Sequence, residues 1–407
     1  GKGYGEENDL SQRIMKAGWM NVLVPDVYVR HWGAVSFGAG SSKRIRAAQK
    51  RLGRLHPSYH QDVSEFFQKD PIRHLRAKLD AARLAYRSDG KAILFVTHNS
   101  GGGTEAHVQF MRSWIEESGE GHVLVCRPHS LLGHFYIEDP ESAATPNLPI
   151  GSWFDDTQKL EELFVSLGIQ HIHVHHLINH GSTAPRALQK IARAGNLRVD
   201  FIAHDYFAIC PRITLIDETG VYCGEPDIET CQKCIDQNGA QVPGKINMKN
   251  WRRDNLALIE SAHTVFAPSL DAAQRFESYL RRNDICVREH ATDEALVKAL
   301  DFPINIDRSV DNGARRKIAV LGAIGPHKGS ELLYQTAQAS LRLALPLEFV
   351  VIGYTDKDKN LESLKNVRIT GRYKPDEVMG LIRSEAPSLL WIPSVWPETF
   401  CFTLSEA

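Results

Sequence analysis

Two units of strand, glycine-rich turn and helix constrain the fold of this chain most strongly. The first unit has the apolar run Lys91–Thr97, the turn His98–Thr104 and then a helical pattern. The second unit has the run Lys317–Leu321, the turn GAIGPHKG and another helical pattern. A short apolar strand that enters a helix through glycines is typical of parallel sheets whose two faces are covered by helices. The sequence therefore predicts an α/β protein with two Rossmann-like domains.

Further apolar runs alternate with helical patterns in both halves of the chain. In the first half, strands are predicted at His122–Cys126, His171–Leu177, Val199–His204, His263–Pro268 and Ile285–Glu289. In the second half, strands are predicted at Leu347–Gly353, Val367–Gly371 and Ser388–Ile392, with a helix at Pro375–Ser384. This alternation predicts doubly wound parallel sheets, which bind ligands at the carboxyl ends of their strands.

Composition excludes several classes of protein. With 407 residues, 43% hydrophobic and 24% charged, the chain has the composition of a soluble globular protein of two to three domains. Its net charge of -1 offers no global field that would attract nucleic acid. No apolar run reaches the roughly 18 residues of a membrane span, and no signal peptide opens the sequence. Seven cysteines without a secretory signal favour a reducing compartment, so we expect a cytoplasmic protein.

The last fifteen residues, PSVWPETFCFTLSEA, carry two carboxylates behind a predicted strand. Pro393 and Pro397 end the strand and force a turn, and Glu398 follows that turn directly. Glu406 comes eight residues later in a predicted helix, whose free backbone N–H groups would suit a phosphate. Two solvated carboxylates at a helix start would show the same pattern.

Four elements together resemble the retaining GT-B glycosyltransferases of family four over residues 91–407. They are the glycine turn Gly101–Gly103, the pair His204-Asp205 at a strand end, Lys328 in the second glycine turn, and Glu398 with Glu406. The resemblance implies a GT-B fold, in which a cleft between two Rossmann-like domains binds a nucleotide-diphosphate sugar. It also implies transfer of the sugar to a glycan or lipid-linked acceptor with retention, as a hexosyltransferase. Together with the remnant of a GT-A domain described below, it suggests a bifunctional parent that builds a bacterial surface polysaccharide.

The same resemblance implies roles for individual residues. His204 and Glu398 would be the catalytic residues at the transferred sugar, with no cofactor required for catalysis. Glu406 would bind the ribose, and the donor diphosphate would lie against Lys328. The remaining donor-binding residues would be Gly101, Gly102, Gly103, Thr399 and Phe400. Where the family has an arginine beside this lysine, the chain has Ala323.

Two other functions remain open on the sequence. The first is a catalytically silent GT-B scaffold or interaction protein, favoured by the absent arginine. The second is a different GT-B enzyme, such as a phosphorylase or an epimerase. The chain also stops where a helix begins, at SEA, so we expect the second domain to be truncated and transfer by residues 1–407 to be weak.

Two clusters of metal-ligand residue types lie in the first half. Cys210, Cys223, Cys231 and Cys234 occur within twenty-five residues, and the last two have the spacing of a zinc knuckle. A structural zinc and four free or redox-active thiols are both compatible with this pattern. The tract HIHVHH at 171–176 is interpreted as a strand instead. Its alternate histidines would share one face roughly 6–7 Å apart, which does not make a tetrahedral site.

The first ninety residues contain a second resemblance. The stretch from Gly3 to Gly38 is similar to the carboxyl end of inverting GT-A glycosyltransferases of family two. That resemblance implies a site formed by Glu7 or Asp9 with His31. The nucleotide-binding strands and the Asp-x-Asp motif of that family are absent, so the stretch is expected to be an inactive remnant of a GT-A domain.

A basic amphipathic helix is predicted next. Its apolar seam would consist of Ile72, Leu75, Leu79, Ala82 and Tyr86. Arginines and one lysine occupy its other faces, so it would serve as a solvated linker or as a peripheral contact with an anionic membrane.

The predicted domain organisation has four parts. They are the GT-A remnant at 1–42, a basic helical linker at 43–90, the acceptor-side Rossmann-like domain at 91–305 and the nucleotide-sugar domain at 306–407. The polar stretch Asn305–Arg316 is the predicted interdomain linker.

Overall fold

The protein is described from a computed structural model, which describes residues 5–22, 24, 27, 29, 41–140, 145, 147–290, 315–374 and 377–406. The chain divides into two compact units. One contains Gly1–Ala81 with Pro146–Leu148, and the other contains Ala82–Thr145 with Pro149–Ala407. In the described parts, no helix has the length and apolar character needed to cross a membrane. The predicted linker at 305–316 lies almost wholly outside the described residues, so the predicted domain boundaries stay predictions.

The first unit consists of helices. Its elements are α1 (Glu6–Lys16), α2 (Ser41–Leu55), α3 (Tyr59–Lys69) and the first part of α4 (Arg73–Arg87). Of the residues predicted for the GT-A remnant, Glu7 is exposed on α1. Asp9 forms an ion pair with Arg13 at 3.1 Å and accepts a hydrogen bond from His56 Nε2 at 2.8 Å. His31 lies outside the described residues, so the remnant stays a prediction.

The predicted apolar seam of α4 is wrong. Leu79 and Tyr86 are 59% and 87% exposed, whereas Leu84 and Ser88 are buried. Ala81 and Leu84 are buried, as is Ser88 just past the helix end, and these positions recur at spacings of three and four. The helix therefore buries a different face from the predicted one. The membrane contact stays a prediction.

The first sheet has eight strands in the order β4-β3-β2-β1-β5-β6-β7-β8. They are β1 (Ala92–Val96), β2 (His122–Pro128), β3 (His134–Glu138), β4 (Gly151–Ser152), β5 (Ile169–Val174), β6 (Arg198–Ile202), β7 (Thr264–Ala267) and β8 (Cys286–Val287). All pairs are parallel except those of β3 with β2 and with β4. The associated helices are α5 (Gly102–Ser118), α6 (Thr157–Ser166), α7 (Ala184–Ala194), α8 (Ile228–Asn238), α9 (Met248–Ser261) and α10 (Leu270–Tyr279).

Burial explains why β1 is a continuous apolar run. All five of its residues are buried. Ile93 and Phe95 pack with Val108 and Ile115 of α5. A central parallel strand has no solvent face, so it shows no alternation of apolar and polar residues.

The second sheet has four parallel strands in the order β11-β10-β9-β12. They are β9 (Arg316–Ile324), β10 (Leu347–Thr355), β11 (Val367–Ile369) and β12 (Leu389–Leu390). The helices are α11 (Ser330–Arg342), α12 (Asp358–Glu362), α13 (Val378–Glu385) and α14 (Phe402–Glu406), and a 3-10 turn at Pro326–Lys328 precedes α11. Val320 of β9 packs with Leu333 of α11, and the adjacent Ala319 packs with Val378 of α13. Both faces of this sheet are therefore covered by helices.

The predicted fold class is confirmed. In each sheet the first strand lies in the interior, and the chain builds outward on one side before it crosses to the other, as in Rossmann-like domains. The protein is α/β with two such domains and a cleft between them, the GT-B arrangement. The antiparallel pairs β2–β3 and β3–β4 were not predicted, because the two residues of β4 are too short for a periodic signal.

The contact between the second glycine turn and the C-terminal loop gives a test of the second sheet. Gly329 has φ +83°, and a Cβ there would lie 2.1 Å from Pro393 O. We expect Gly329→Ala to lower the free energy of unfolding by about 2–3 kcal/mol in urea denaturation. The matched control is Gly380→Ala, because a Cβ at that helical position meets nothing within 4 Å. This control should be neutral or stabilising by up to about 1 kcal/mol, and equal effects of both changes would contradict the packing argument.

Candidate functional site

The cleft between the two sheets forms a cavity of about 1500 Å³. It is bounded by the carboxyl ends of the strands, where parallel sheets place their ligands. Its lining from the first sheet includes Gly102, Gly103, Thr104, His204, Asp205 and His290. Its lining from the second sheet includes Lys328, Trp396, Glu398, Thr399, Phe400 and Phe402. The structure therefore brings together most of the residues predicted for the site, although they span almost three hundred positions.

The first glycine turn needs its glycines for two different reasons. Gly101 and Gly102 have φ of +70° and +77°, which favours glycine. Gly103 has no such constraint, but a Cβ there would lie 2.8 Å from the ring of Phe402. The turn thus lets the start of α5 and the C-terminal segment approach each other across the cleft.

The His204-Asp205 turn joins the ends of three elements. Thr399 Oγ1 donates a hydrogen bond of 2.5 Å to the backbone carbonyl of His204, which links the two sheets. Asp205 accepts hydrogen bonds from His176 Nε2 at 2.7 Å and from the backbone N–H of Phe207 at 2.8 Å. Burial acts to raise the pKa of Asp205, but His176 and the Phe207 N–H outweigh it, so the pKa is lowered. The carboxylate therefore fixes the turn in its ionised form.

The second sheet contributes a cation and a carboxylate. Lys328 ends the 3-10 turn before α11 and lines the cleft beside Glu398, which accepts a hydrogen bond from Ser394 Oγ. Thr399 and Phe400 follow in the same wall. Glu406 belongs to α14, but its side chain lies outside the described residues. Its predicted contact with a ribose stays a prediction.

Arg372 lies over the strand neighbour of Ala323, the position at which the resemblance to family four led us to expect an arginine. Ala323 of β9 is paired in register with Tyr354 of β10. The guanidinium of Arg372 lies 4.1 Å from the centre of the Tyr354 ring. Arg372 follows directly after the predicted strand Val367–Gly371, but a single basic residue in a loop gave no signal in the sequence.

Buried histidines form the wall of the first sheet. Burial lowers the pKa of His98 and His107 to about 4 and that of His290, which also faces His107, to about 3. Burial, followed by neighbouring histidines, lowers the pKa of His175 and His204 well below the usual value. All five rings are therefore neutral at pH 7, so His204 can offer a hydrogen bond but no positive charge.

The interpretation of the tract HIHVHH was incomplete. His171 and His173 do share one face of β5, but ligands also come from outside the strand. Asp200 joins these two histidines, and His175 meets His107 of α5 and His204 after β6. The argument from a single strand missed these neighbours because parallel pairing brings distant segments to the same edge. His107 and His290, which follow the glycine turn and a predicted strand, were not singled out in the sequence.

The four predicted zinc ligands lie in one region without forming a compact set of sulfurs. Within the residues that the structure describes, no three of these cysteines place their Sγ atoms within 4.8 Å of one another. Cys231 and Cys234 lie on α8, where Cys231 Sγ accepts a hydrogen bond from Arg252 Nη2 at 3.2 Å. Burial, with the other three thiols nearby, raises the pKa of Cys210 to about 11, and burial likewise raises the pKa of Cys223. A zinc ion at these residues stays a prediction.

Comparison with known proteins gives structural similarities only. No protein-family model and no curated protein matches the sequence. Among solved structures, the chain is similar to HepE of Anabaena in complex with UDP-glucose, at 13% identity over 78% of each chain and a TM-score of 0.42. It is similar to the catalytic domain of starch synthase IV from Arabidopsis thaliana bound to ADP and acarbose, at 15% identity over 78% of this chain and 80% of that one, with a TM-score of 0.41.

A third similarity is to the UDP-GlcNAc 2-epimerase from Neisseria meningitidis bound to UDP-GlcNAc. The identity is 14% over 72% of this chain and 75% of that one, and the TM-score is 0.35. Similarities at these identities and TM-scores do not determine what this chain does.

The neutral histidines predict a loss of stability in mild acid. His180 is fully buried between Thr97 O and Trp153 Nε1, and burial lowers its pKa to about 4. An unfolded histidine titrates near 6.5, so the unfolded chain takes up the proton first as the pH falls. Neutral His180 therefore contributes fully to the stability of the fold above about pH 6.5, and this stabilisation is lost as the pH falls toward 4.

The test is urea denaturation at pH 7.5 and at pH 5.5. Between these two pH values, the free energy of unfolding of wild type should fall by about 1 kcal/mol more than that of His180→Asn. The variant will be less stable at both values because it leaves partners unsatisfied, so the comparison rests on the difference between the two pH values. An identical loss in both proteins would show that His180 titrates normally in the fold.

Proposed function

We propose that this chain is a GT-B enzyme that transfers a sugar from a nucleotide-diphosphate donor to an acceptor. The observation that carries the proposal is the set of side chains that face each other across the cleft. Lys328 and Glu398 from the second sheet share a cavity with the Gly102–Gly103 turn and His204 from the first sheet. A cation and a helix start suit a diphosphate, and a carboxylate with a neutral imidazole suits sugar hydroxyls.

The donor diphosphate is assigned to the second sheet. Lys328 stands immediately before the thirteen-residue helix α11, whose amino end carries a partial positive charge. The lysine and the helix end would neutralise the leaving diphosphate, so that no cofactor is required for the transfer. Glu398, Thr399 and Phe400 would border the sugar, and Glu406 would bind the ribose.

His204 would act at the sugar as a hydrogen-bonding group. Its pKa is lowered well below the usual value by burial and by the histidines around it, so the ring is neutral at working pH. A neutral imidazole can orient a sugar hydroxyl, and its dipole can stabilise developing positive charge at the anomeric carbon. The finer parts of this proposal are retention of configuration, a hexose donor and a glycan or lipid-linked acceptor. They follow from the resemblance to family four. A role in surface polysaccharide biosynthesis follows from the GT-A remnant that the sequence predicts ahead of the GT-B part.

Donor binding gives the direct test. We expect Lys328→Ala to weaken the binding of uridine or guanosine diphosphate in calorimetry by roughly tenfold or more. The reason is that a hydrogen bond to a charged group contributes about 1.5–3 kcal/mol. The control is Lys359→Ala, which removes an exposed lysine from α12 of the same sheet layer and should leave the affinity unchanged. Equal affinity of Lys328→Ala and wild type would overturn the assignment of the diphosphate.

The reaction itself is tested with a panel of nucleotide sugars, with and without glycan acceptors. Transfer with the anomeric configuration of the donor retained, read by NMR of the product, is the expected result. Conversion of the donor sugar without an acceptor would indicate an epimerase instead. Donor binding without any turnover would favour a silent scaffold.

A structural zinc at Cys210, Cys223, Cys231 and Cys234 is a separate proposal that rests on their spacing. Replacement of zinc by Co²⁺ should produce a thiolate charge-transfer band in the near ultraviolet that is lost in Cys231→Ser. Cys286→Ser is the matched control, because Cys286 is also partly buried but lies in β8. No charge-transfer band in the cobalt-loaded wild type would reject a metal at these thiols.

A further inference from the structure

Three histidines from separate parts of the chain meet at the floor of the cleft. His107 lies on α5, His175 follows β5 directly, and His204 follows β6. One ring nitrogen of each lies within 4.8 Å of those of the other two. The closest pair is His175 Nδ1 and His204 Nε2, at 3.1 Å. Three imidazoles thus converge although 68 and 29 positions separate neighbouring members in the sequence.

Two of these rings leave buried nitrogens unsatisfied. Nε2 of His175 and Nδ1 of His107 are buried and have no hydrogen-bond partner within the described part of the chain. His175 itself is only 2% exposed, so solvent does not replace the missing partner. A buried polar atom without a partner is costly, and in native proteins it is typically explained by a bound water or ion. An ion bound through Nδ1 of His107 would supply that partner, whereas the unsatisfied Nε2 of His175 is not the nitrogen that faces His204 and is not explained by the same ion.

We propose that His107, His175 and His204 bind one divalent transition-metal ion, and that zinc is the best match. Zinc accepts three imidazole nitrogens at roughly 2.0–2.1 Å in tetrahedral geometry, which places the ligand atoms about 3.3 Å apart. The distance between the His175 and His204 nitrogens is already close to this value. Imidazole ligands suit zinc, copper and nickel, and they do not suit magnesium or calcium.

The protonation state of the cluster fits metal binding. A histidine is mostly uncharged at neutral pH, and each neutral ring has one unprotonated nitrogen, which is the form that binds metals. The His290 ring lies 4.2 Å from the His107 ring and 4.9 Å from the His204 ring. His290 stands beside the remaining coordination position, which a water could also fill.

The other histidine cluster lacks these properties. His171, His173 and Asp200 also lie within 4.8 Å of one another. Arg198 Nη2, however, donates a hydrogen bond of 2.9 Å to Asp200 Oδ2. This guanidinium already neutralises the carboxylate and would repel a second cation, so the cluster serves as a matched comparison for the proposed site.

A metal at the first cluster would tie α5 to the ends of two strands at the point where the cleft begins. It would also hold His204 through Nε2 and leave Nδ1 for other contacts. The proposal does not depend on the proposed transferase function. A protein that binds the metal and lacks transfer activity would separate the two.

The experiment uses the full chain after treatment with a chelator, titrated with Co²⁺ and then with Zn²⁺. The readouts are the visible d–d absorption of cobalt, the metal content by elemental analysis and the melting temperature. Wild type should bind one equivalent with d–d bands typical of nitrogen ligands, apart from any equivalent that shows thiolate charge transfer, and Zn²⁺ should raise its melting temperature. His107→Ala and His175→Ala should lose this equivalent, whereas His171→Ala should retain it.

Folding is controlled by circular dichroism, and His107→Gln gives a second, more conservative variant if His175→Ala does not fold. The proposal is overturned if wild type takes up no metal or if His107→Gln binds it as tightly as wild type does. It is also overturned if all bound cobalt shows thiolate charge transfer and is lost in Cys231→Ser, because the metal then belongs to the cysteines. A wild type that remains metal-free would mean that His175 and His204 simply share a hydrogen bond.

Discussion

The burial of both faces of each parallel sheet is the constraint on which the rest of this structure depends. A strand such as β1, with every residue buried, has no room for a charged or catalytic side chain along its length. The polar side chains that line the cleft therefore come from residues beyond the strand ends. His175, His204 and Lys328 all occupy such positions, after β5, β6 and β9. The cleft is the place where the carboxyl edges of two sheets face each other.

The same constraint explains which parts of the fold could be predicted. Buried strands such as Lys91–Thr97 and Leu347–Gly353 are continuous apolar runs, and they were predicted to within about two residues of their observed bounds. The face of α4 was missed because polar Asp80 is among its buried residues. The edge pairs of β3 and β4 were missed because β4 is short and because the pairing depends on close approach at a glycine. A Cβ at Gly151, for example, would lie 2.2 Å from the Phe135 ring. Contacts of this kind are absent from the local pattern of apolar residues.

The candidate site shows a similar division. Its motifs could be predicted because each combines a residue type with a strand end, as with His204-Asp205 and the glycines at 101–103. The neighbours of those motifs could not, since His107 is an ordinary polar position on a helix until β1, β5 and β6 bring it against His175 and His204. The position of Arg372 could likewise not be predicted, because it depends on the parallel register that pairs Ala323 with Tyr354. The contacts that parallel pairing creates between distant segments cannot be predicted from a local stretch of sequence.

The same burial makes the two walls of the cleft electrostatically different. On the first wall, desolvation keeps the histidines neutral, so they can take part in hydrogen bonds or bind a metal ion without a competing proton. The second wall places a lysine and a glutamate, Lys328 and Glu398, in the same cavity. The hydroxyl of Thr399 on the carbonyl of His204 joins the walls through a neutral contact. A charged donor would therefore find its counter-charge on one side and uncharged hydrogen-bonding groups on the other. A diphosphate sugar, with one charged and one neutral end, has this asymmetry.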